Sequence, residues 1–113
     1  GSPTVDSFSS AVIDLAATSN NQQIIAAPGA GKQIWVYSVA FLFDTAAGTV
    51  VFHDSTPTAL TGTMAVSDEG GLAIAPSGNF AMPIWKCATN TALQADTGAG
   101  TVDGWLTYAI VSV

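Results

Sequence analysis

The stretch Gln33-Ile34-Trp35-Val36-Tyr37-Ser38-Val39-Ala40-Phe41-Leu42-Phe43-Asp44 decides the fold class. Its β-branched and aromatic residues run between Pro28-Gly29-Ala30-Gly31 and Ala47-Gly48, so it reads as one long strand. A second strand of the same character closes the chain, Gly104-Trp105-Leu106-Thr107-Tyr108-Ala109-Ile110-Val111-Ser112-Val113. Shorter runs lie between them, at Thr49 to His53, Ala59 to Ala65, Leu72 to Ala75, Phe80 to Lys86 and Ala92 to Ala95. The turn signals Ser55-Thr56-Pro57, Asp68-Glu69-Gly70-Gly71, Pro76-Ser77-Gly78-Asn79, Thr89-Asn90 and Gly98-Ala99-Gly100 separate them. Upstream, Val12 to Ala16 and Gln23 to Ala27 add two candidates, the first also compatible with a turn or two of helix. Eight or nine short strands at this spacing predict an all-β, antiparallel sandwich or barrel.

Both long strands lack the polar alternation of a sheet with one wet face. Only Ser38 is polar between Ile34 and Phe43, and only Thr107 and Ser112 between Trp105 and Val113. Strict alternation would send Trp35, Tyr37, Val39, Phe41 and Phe43 into the core. It would turn Ile34, Val36, Ser38, Ala40 and Leu42 toward another subunit, and the interface is expected to take in Ile34, Val36, Ala40 and Leu42 with Trp105, Tyr108 and Ile110 of the last strand. A chain this small cannot cover both faces of its own sheets, which predicts a homo-oligomer; the alternative is a monomer dressed with Ser, Thr and Ala.

The 113 residues allow one domain. A folded monomer of this mass exposes roughly 5,800 Å² against about 16,500 Å² for the extended chain, enough for one core. Before Ser10 the sequence is short and polar, so residues 1–9 are expected as a flexible arm and 10–113 as the β-sandwich domain. Gly1-Ser2 reads as a vector remnant. The net charge is −6, with Lys32 and Lys86 the only cations besides His53, so no basic stripe exists for nucleic acid. No apolar run is long enough for a membrane helix, and no signal peptide opens the sequence.

Motifs for chemistry are sparse. Gly29-Ala30-Gly31-Lys32 fails as a phosphate loop, because Ala26 stands where the first glycine belongs and Gln33 where the hydroxyl belongs. His53-Asp54-Ser55 holds the residue types of a hydrolase triad, yet neighbours in a strand point to alternate sides and cannot relay a proton in line. His53 is the lone histidine and Cys87 the lone cysteine, which leaves no zinc cage and no internal disulfide. The acidic turns at Asp68-Glu69 and from Asp96 to Asp103 lack the spacing of an EF-hand. No cofactor, metal site or catalytic residue is expected. Trp35, Trp85 and Trp105 sit in strand patterns, where core or interface is the default and a sugar-stacking platform the alternative.

In order of occurrence, these features resemble the head decoration, or capsid cement, proteins of tailed bacteriophages. The resemblance covers Ile24 to Val113. It is carried by Ile-Ile-Ala-Ala-Pro-Gly-Ala-Gly-Lys from Ile24, the Ile34 to Phe43 strand, Ala-Ala-Gly-Thr-Val-Val-Phe from Ala46 and Ala-Leu-Thr-Gly-Thr-Met from Ala59. It continues through Gly-Gly-Leu-Ala-Ile-Ala-Pro from Gly70, Ala92-Leu93, and Gly-Ala-Gly-Thr-Val-Asp-Gly-Trp-Leu-Thr-Tyr from Gly98. The resemblance implies a jelly-roll-like sandwich of about eight strands, a homotrimer on the capsid exterior after assembly in the host cytoplasm, and the phage's major capsid protein as partner. Such proteins are not enzymes. An N-terminal arm often holds the shell in this family, which points to Pro3, Thr4, Val5 and Asp6 as capsid-binding residues. A carbohydrate-binding or receptor-binding module of the same architecture, using Trp85 or Trp105, is the alternative.

Overall fold

Turn residues cut the chain into nine strands in a computed structural model that describes residues 2–113. Gly1, half of the suspected vector remnant, lies outside the described residues. The strands are β1 (Thr4–Leu15), β2 (Gln22–Ile25), β3 (Lys32–Phe43), β4 (Gly48–Asp54), β5 (Met64–Val66), β6 (Gly71–Ile74), β7 (Trp85–Lys86), β8 (Leu93–Thr97) and β9 (Val102–Ser112). None of the described residues forms a helix, so no helix is long and apolar enough to cross a membrane.

One sheet runs β1-β9-β3-β6, with β7 also paired to β3; the other runs β2-β8-β4-β5. Every pairing is antiparallel, and β1 to β4 alternate between the sheets, which is the strand order of a jelly roll. Ile13 and Leu15 of β1, Phe41 and Phe43 of β3, and Val102 and Leu106 of β9 meet Val50 and Phe52 of β4 and Leu93 and Ala95 of β8 in the core. Phe52 also stacks on Trp85 at 4.9 Å. The accessible surface of 5540 Å² matches what a folded monomer of this mass exposes.

Strict alternation fails in the middle of β3. Pairing to β9 passes from Val36↔Tyr108 to Ser38↔Thr107 and leaves Tyr37 as an extra residue. Such a bulge exchanges the two faces of the strand beyond it. Ile34 and Val36 therefore point into the core before the bulge, and Val39, Phe41 and Phe43 after it. Trp35 and Tyr37 join Ala109 and Val111 in a second, smaller cluster on the outer side. The expectation of one inward and one outward set along β3 is corrected accordingly.

The N-terminal expectation is corrected as well. Residues 4–9 form the first half of β1, whose register with β9 runs from Thr4↔Ser112 to Leu15↔Val102. An edge strand needs only main-chain bonds to one neighbour, so it carries few apolar residues and looks like an arm in sequence. Asp6 fixes this end, accepting from Lys32 Nζ at 3.0 Å and from Ser112 Oγ at 2.8 and 2.9 Å. The domain begins at Thr4 rather than Ser10.

Candidate functional site

The outer face of the β1-β9-β3-β6 sheet carries the unpartnered side chains. Register sets them in rows: Val5, Val111 and Gln33; Phe8, Ala109 and Trp35; Ser10, Thr107 and Ser38; Val12, Trp105, Ala40 and Ala73; Asp14, Asp103, Leu42 and Gly71. Phe8 is 54% exposed, Val12 74% and Trp105 51%, unusual values for large apolar groups gathered on one face of a chain this small.

One end of the face is aromatic. The β6–β7 loop folds back over it, and the Tyr37 hydroxyl donates to the Phe80 carbonyl oxygen at 2.7 Å. Phe80 then lies 5.1 Å from Phe8 and edge-on to Tyr37 at 6.5 Å, the spacing at which aromatic rings attract. Phe8, Tyr37, Pro76, Phe80 and Thr107 line a groove of about 490 Å³ here. Lys86 Nζ sits 4.3 Å from the Trp35 ring centre, and the indole N–H of Trp35 donates to Gln33 Oε1 at 2.8 Å. Trp35 is thus satisfied and closed off.

The opposite end is acidic around an apolar floor. Ala40, Leu42, Leu72, Ala73 and Trp105 line a second groove of about 500 Å³, with Glu69 and Asp103 on its rim. Asp14 is the cross-strand partner of Asp103. Burial lifts the Asp103 carboxyl above its ordinary value, and the carboxylates of Asp44 and Asp14 lift it further.

His53, Asp54, Ser55 and Lys32 each have polar groups engaged within the fold. His53 Nδ1 meets the Asp54 carbonyl oxygen at 2.7 Å and Nε2 meets Asp96 Oδ1 at 3.0 Å. The Asp54 carboxylate faces away from His53. Oδ1 accepts from the Thr56 and Thr58 amides, each at 2.9 Å, and from the Thr56 hydroxyl, while Oδ2 accepts from the Ala88 amide at 3.1 Å. Ser55 Oγ accepts from the Ala92 amide at 2.9 Å, so His53-Asp54-Ser55 forms no relay. Burial first, and Asp54 second, push the Cys87 thiol up to about 12, far from a thiolate nucleophile at neutral pH. Lys32 follows a glycine turn, its amide donating to the Gly29 carbonyl at 3.2 Å, and its ammonium is bound to Asp6. Among the described residues, no three His, Cys, Asp or Glu side chains converge as metal ligands would.

Of the residues assigned to a subunit interface, the fold brings Ala40, Leu42 and Trp105 together on the outer face. It does not bring Ile34 and Val36 there: both are fully buried between the sheets, which corrects that assignment. Tyr108 and Ile110 also pack against the inter-sheet core, because β9 keeps one alternation throughout while β3 switches. Of the candidate capsid-binding residues, Pro3 is exposed just before β1, Thr4 and Asp6 sit in it, and Val5 packs on the Trp35 cluster. Phe8, Val12 and Phe80 were missed; only Phe8 and Phe80 carried a signal, as large aromatics in otherwise polar or turn-rich stretches. Comparison of the chain with protein-family models, with curated proteins and with solved structures returned no match.

Proposed function

We propose that this chain is a structural virion protein, a homotrimer that binds the outer surface of an assembled tailed-phage capsid through the major capsid protein and stabilises the shell. One observation carries the proposal: a jelly roll whose own core is complete keeps a second apolar face without a partner, from Phe8 and Phe80 to Trp105 and Leu42. A face of that kind suits self-association and docking rather than turnover. The trimer, the capsid exterior and assembly in the host cytoplasm follow from the resemblance. A cement protein works by mass action, since binding only the assembled lattice adds to the lattice's resistance to disassembly. Three sites on one trimer act together when their spacing matches the shell. With residues 4–9 held in β1, contact through Pro3, Thr4, Val5 and Asp6 would come from a fixed tip of the sandwich rather than a loose arm.

Co-sedimentation with expanded, undecorated capsids of the source phage tests this, alongside light scattering of the free protein. Saturable binding by a trimer is expected; a monomer that leaves capsids bare overturns the proposal. The carbohydrate-binding alternative is favoured by Trp105 alone, exposed beside carboxylates in a shallow groove, while Trp85 is buried on Phe52. Emission from Trp105 that shifts on adding a neutral glycan would select it.

A further inference from the structure

The charges of this molecule are sorted along its strands. Asp6, Asp54 and Asp96 are taken up by Lys32, by backbone amides and by His53 respectively. Asp14, Asp44, Glu69 and Asp103 have no ion-pair partner among the described residues, and they gather at the Trp105 end of the outer face. Both lysines lie at the other end, Lys32 opposite Ser112 and Lys86 opposite Trp35.

From this arrangement we infer that the groove floored by Leu42, Leu72 and Trp105 docks a basic segment of another protein, one that inserts an apolar side chain and sets Lys or Arg against Asp14, Glu69 and Asp103. The floor supplies apolar area and an indole face for a cation, and the rim supplies charge complementary to the incoming segment. A second copy of the chain fits this groove badly. Two-fold pairing would set the same carboxylates against each other, and head-to-tail pairing would have to draw Lys32 off Asp6 or Lys86 off Trp35. A neutral glycan would use the indole but leave the crowded carboxylates unrelieved. The groove has this chemistry whether or not the chain decorates a capsid.

The test uses the full chain and a short peptide alternating Lys and Leu, with its Glu–Leu counterpart as control, read by tryptophan emission and by calorimetry. The Lys–Leu peptide is expected to shift the emission to the blue. Its affinity should fall at least about tenfold between low salt and ~0.5 M salt, as a charge-steered contact does. Trp105→Ala should abolish the shift, and Asp103→Asn should weaken binding while raising Tm, because it relieves like-charge crowding. Equal binding of both peptides, insensitivity to salt, or no shift with the Lys–Leu peptide would overturn the inference. So would a concentration-dependent dimer lost in Trp105→Ala, or a neutral glycan producing the shift.

Discussion

His53 and Asp96 form a half-buried ion pair that joins β4 to β8, with Nε2 3.0 Å from Oδ1 and the other ring nitrogen held by the Asp54 carbonyl oxygen. Both nitrogens face acceptors, so the ring is satisfied only when both carry a proton. Burial, the largest single influence, pulls the His53 pKa down, but the Asp54 carbonyl and the Asp96 carboxylate outweigh it and the balance lies above 6.5. The Asn21 amide and His53 hold Asp96 below 3.8 against burial, which pushes the other way.

A pH dependence with a defined sign follows. A raised histidine pKa stabilises the fold fully below 6.5, and that contribution is lost as pH rises through the folded value. The lowered Asp96 contributes above 3.8 and loses its share as pH falls through its folded value. Tm measured across pH should therefore decline on passing from mildly acidic to alkaline conditions, and His53→Gln should flatten that decline. A profile identical in the two proteins would remove the ion pair from the account.

Asp54 governs the acid limb. Burial opposes its charge, yet the Thr56 hydroxyl and the Thr58, Ala88 and Thr56 amides hold its pKa down at about 2. The stability this supplies is present above 3.8 and lost as pH falls through about 2. The drop from 3.8 to about 2 corresponds to roughly 2 kcal/mol. Asp54→Ala strands the Thr56, Thr58 and Ala88 donors and should cost on the order of 3 kcal/mol in urea unfolding at neutral pH. Asp54→Asn should lose less and show a shallower fall between pH 4 and 2.

The architecture was legible in sequence because Gln33 to Asp44 and Gly104 to Val113 are too apolar and too β-branched for anything but long strands. Which side of each residue meets the core was not, since one extra residue at Tyr37 inverts the pattern of β3 and nothing in Val36-Tyr37-Ser38 announces it. Thr4 to Ser9 read as an arm for the opposite reason: an outer-edge strand bonds through its main chain, and Val5 and Phe8 are its only apolar marks. Phe80 to Ile84 look like a strand but lie in a loop, where Gly78 takes a φ of 84° and Asn79 accepts from Ala81 at 2.9 Å and from Met82 at 2.9 Å. Trp105 kept its outward position because the extra residue lies on β3, while β9 runs without one from Val102 to Ser112.

Close strand approach yields a sharper test. A Cβ on Gly104 would collide with the Ala40 carbonyl oxygen and come within 2.6 Å of Phe41 Cα, both main chain in the central pair of the sheet. Backbone cannot step aside as a side chain can, so Gly104→Ala should cost about 2 kcal/mol or more. At Gly62 nothing lies within 4 Å, and Gly62→Ala should stay within about 0.5 kcal/mol of the parent. Equal melting temperatures for the two variants would contradict the packing of β3 on β9.

In the proposed trimer, the aromatic end of the outer face is where subunits would meet. Phe80 is 66% exposed and rests on Phe8 and on the Tyr37 ring, so a neighbouring subunit would cover the larger, exposed part of its ring. Burying a phenyl ring contributes roughly 1.5–3 kcal/mol, and a trimer repeats that contact at each of its interfaces. Phe80→Ser should therefore shift light scattering toward the monomer mass at micromolar concentration. The far-ultraviolet dichroism should stay unchanged, because the Tyr37 hydroxyl bonds to the main chain of residue 80 and not to its ring. Phe8→Ser should act the same way, its strand being held by β9. A Phe80→Ser protein that unfolds instead would show the ring to be core; one that keeps the parent's mass would show that subunits, if they associate, meet elsewhere.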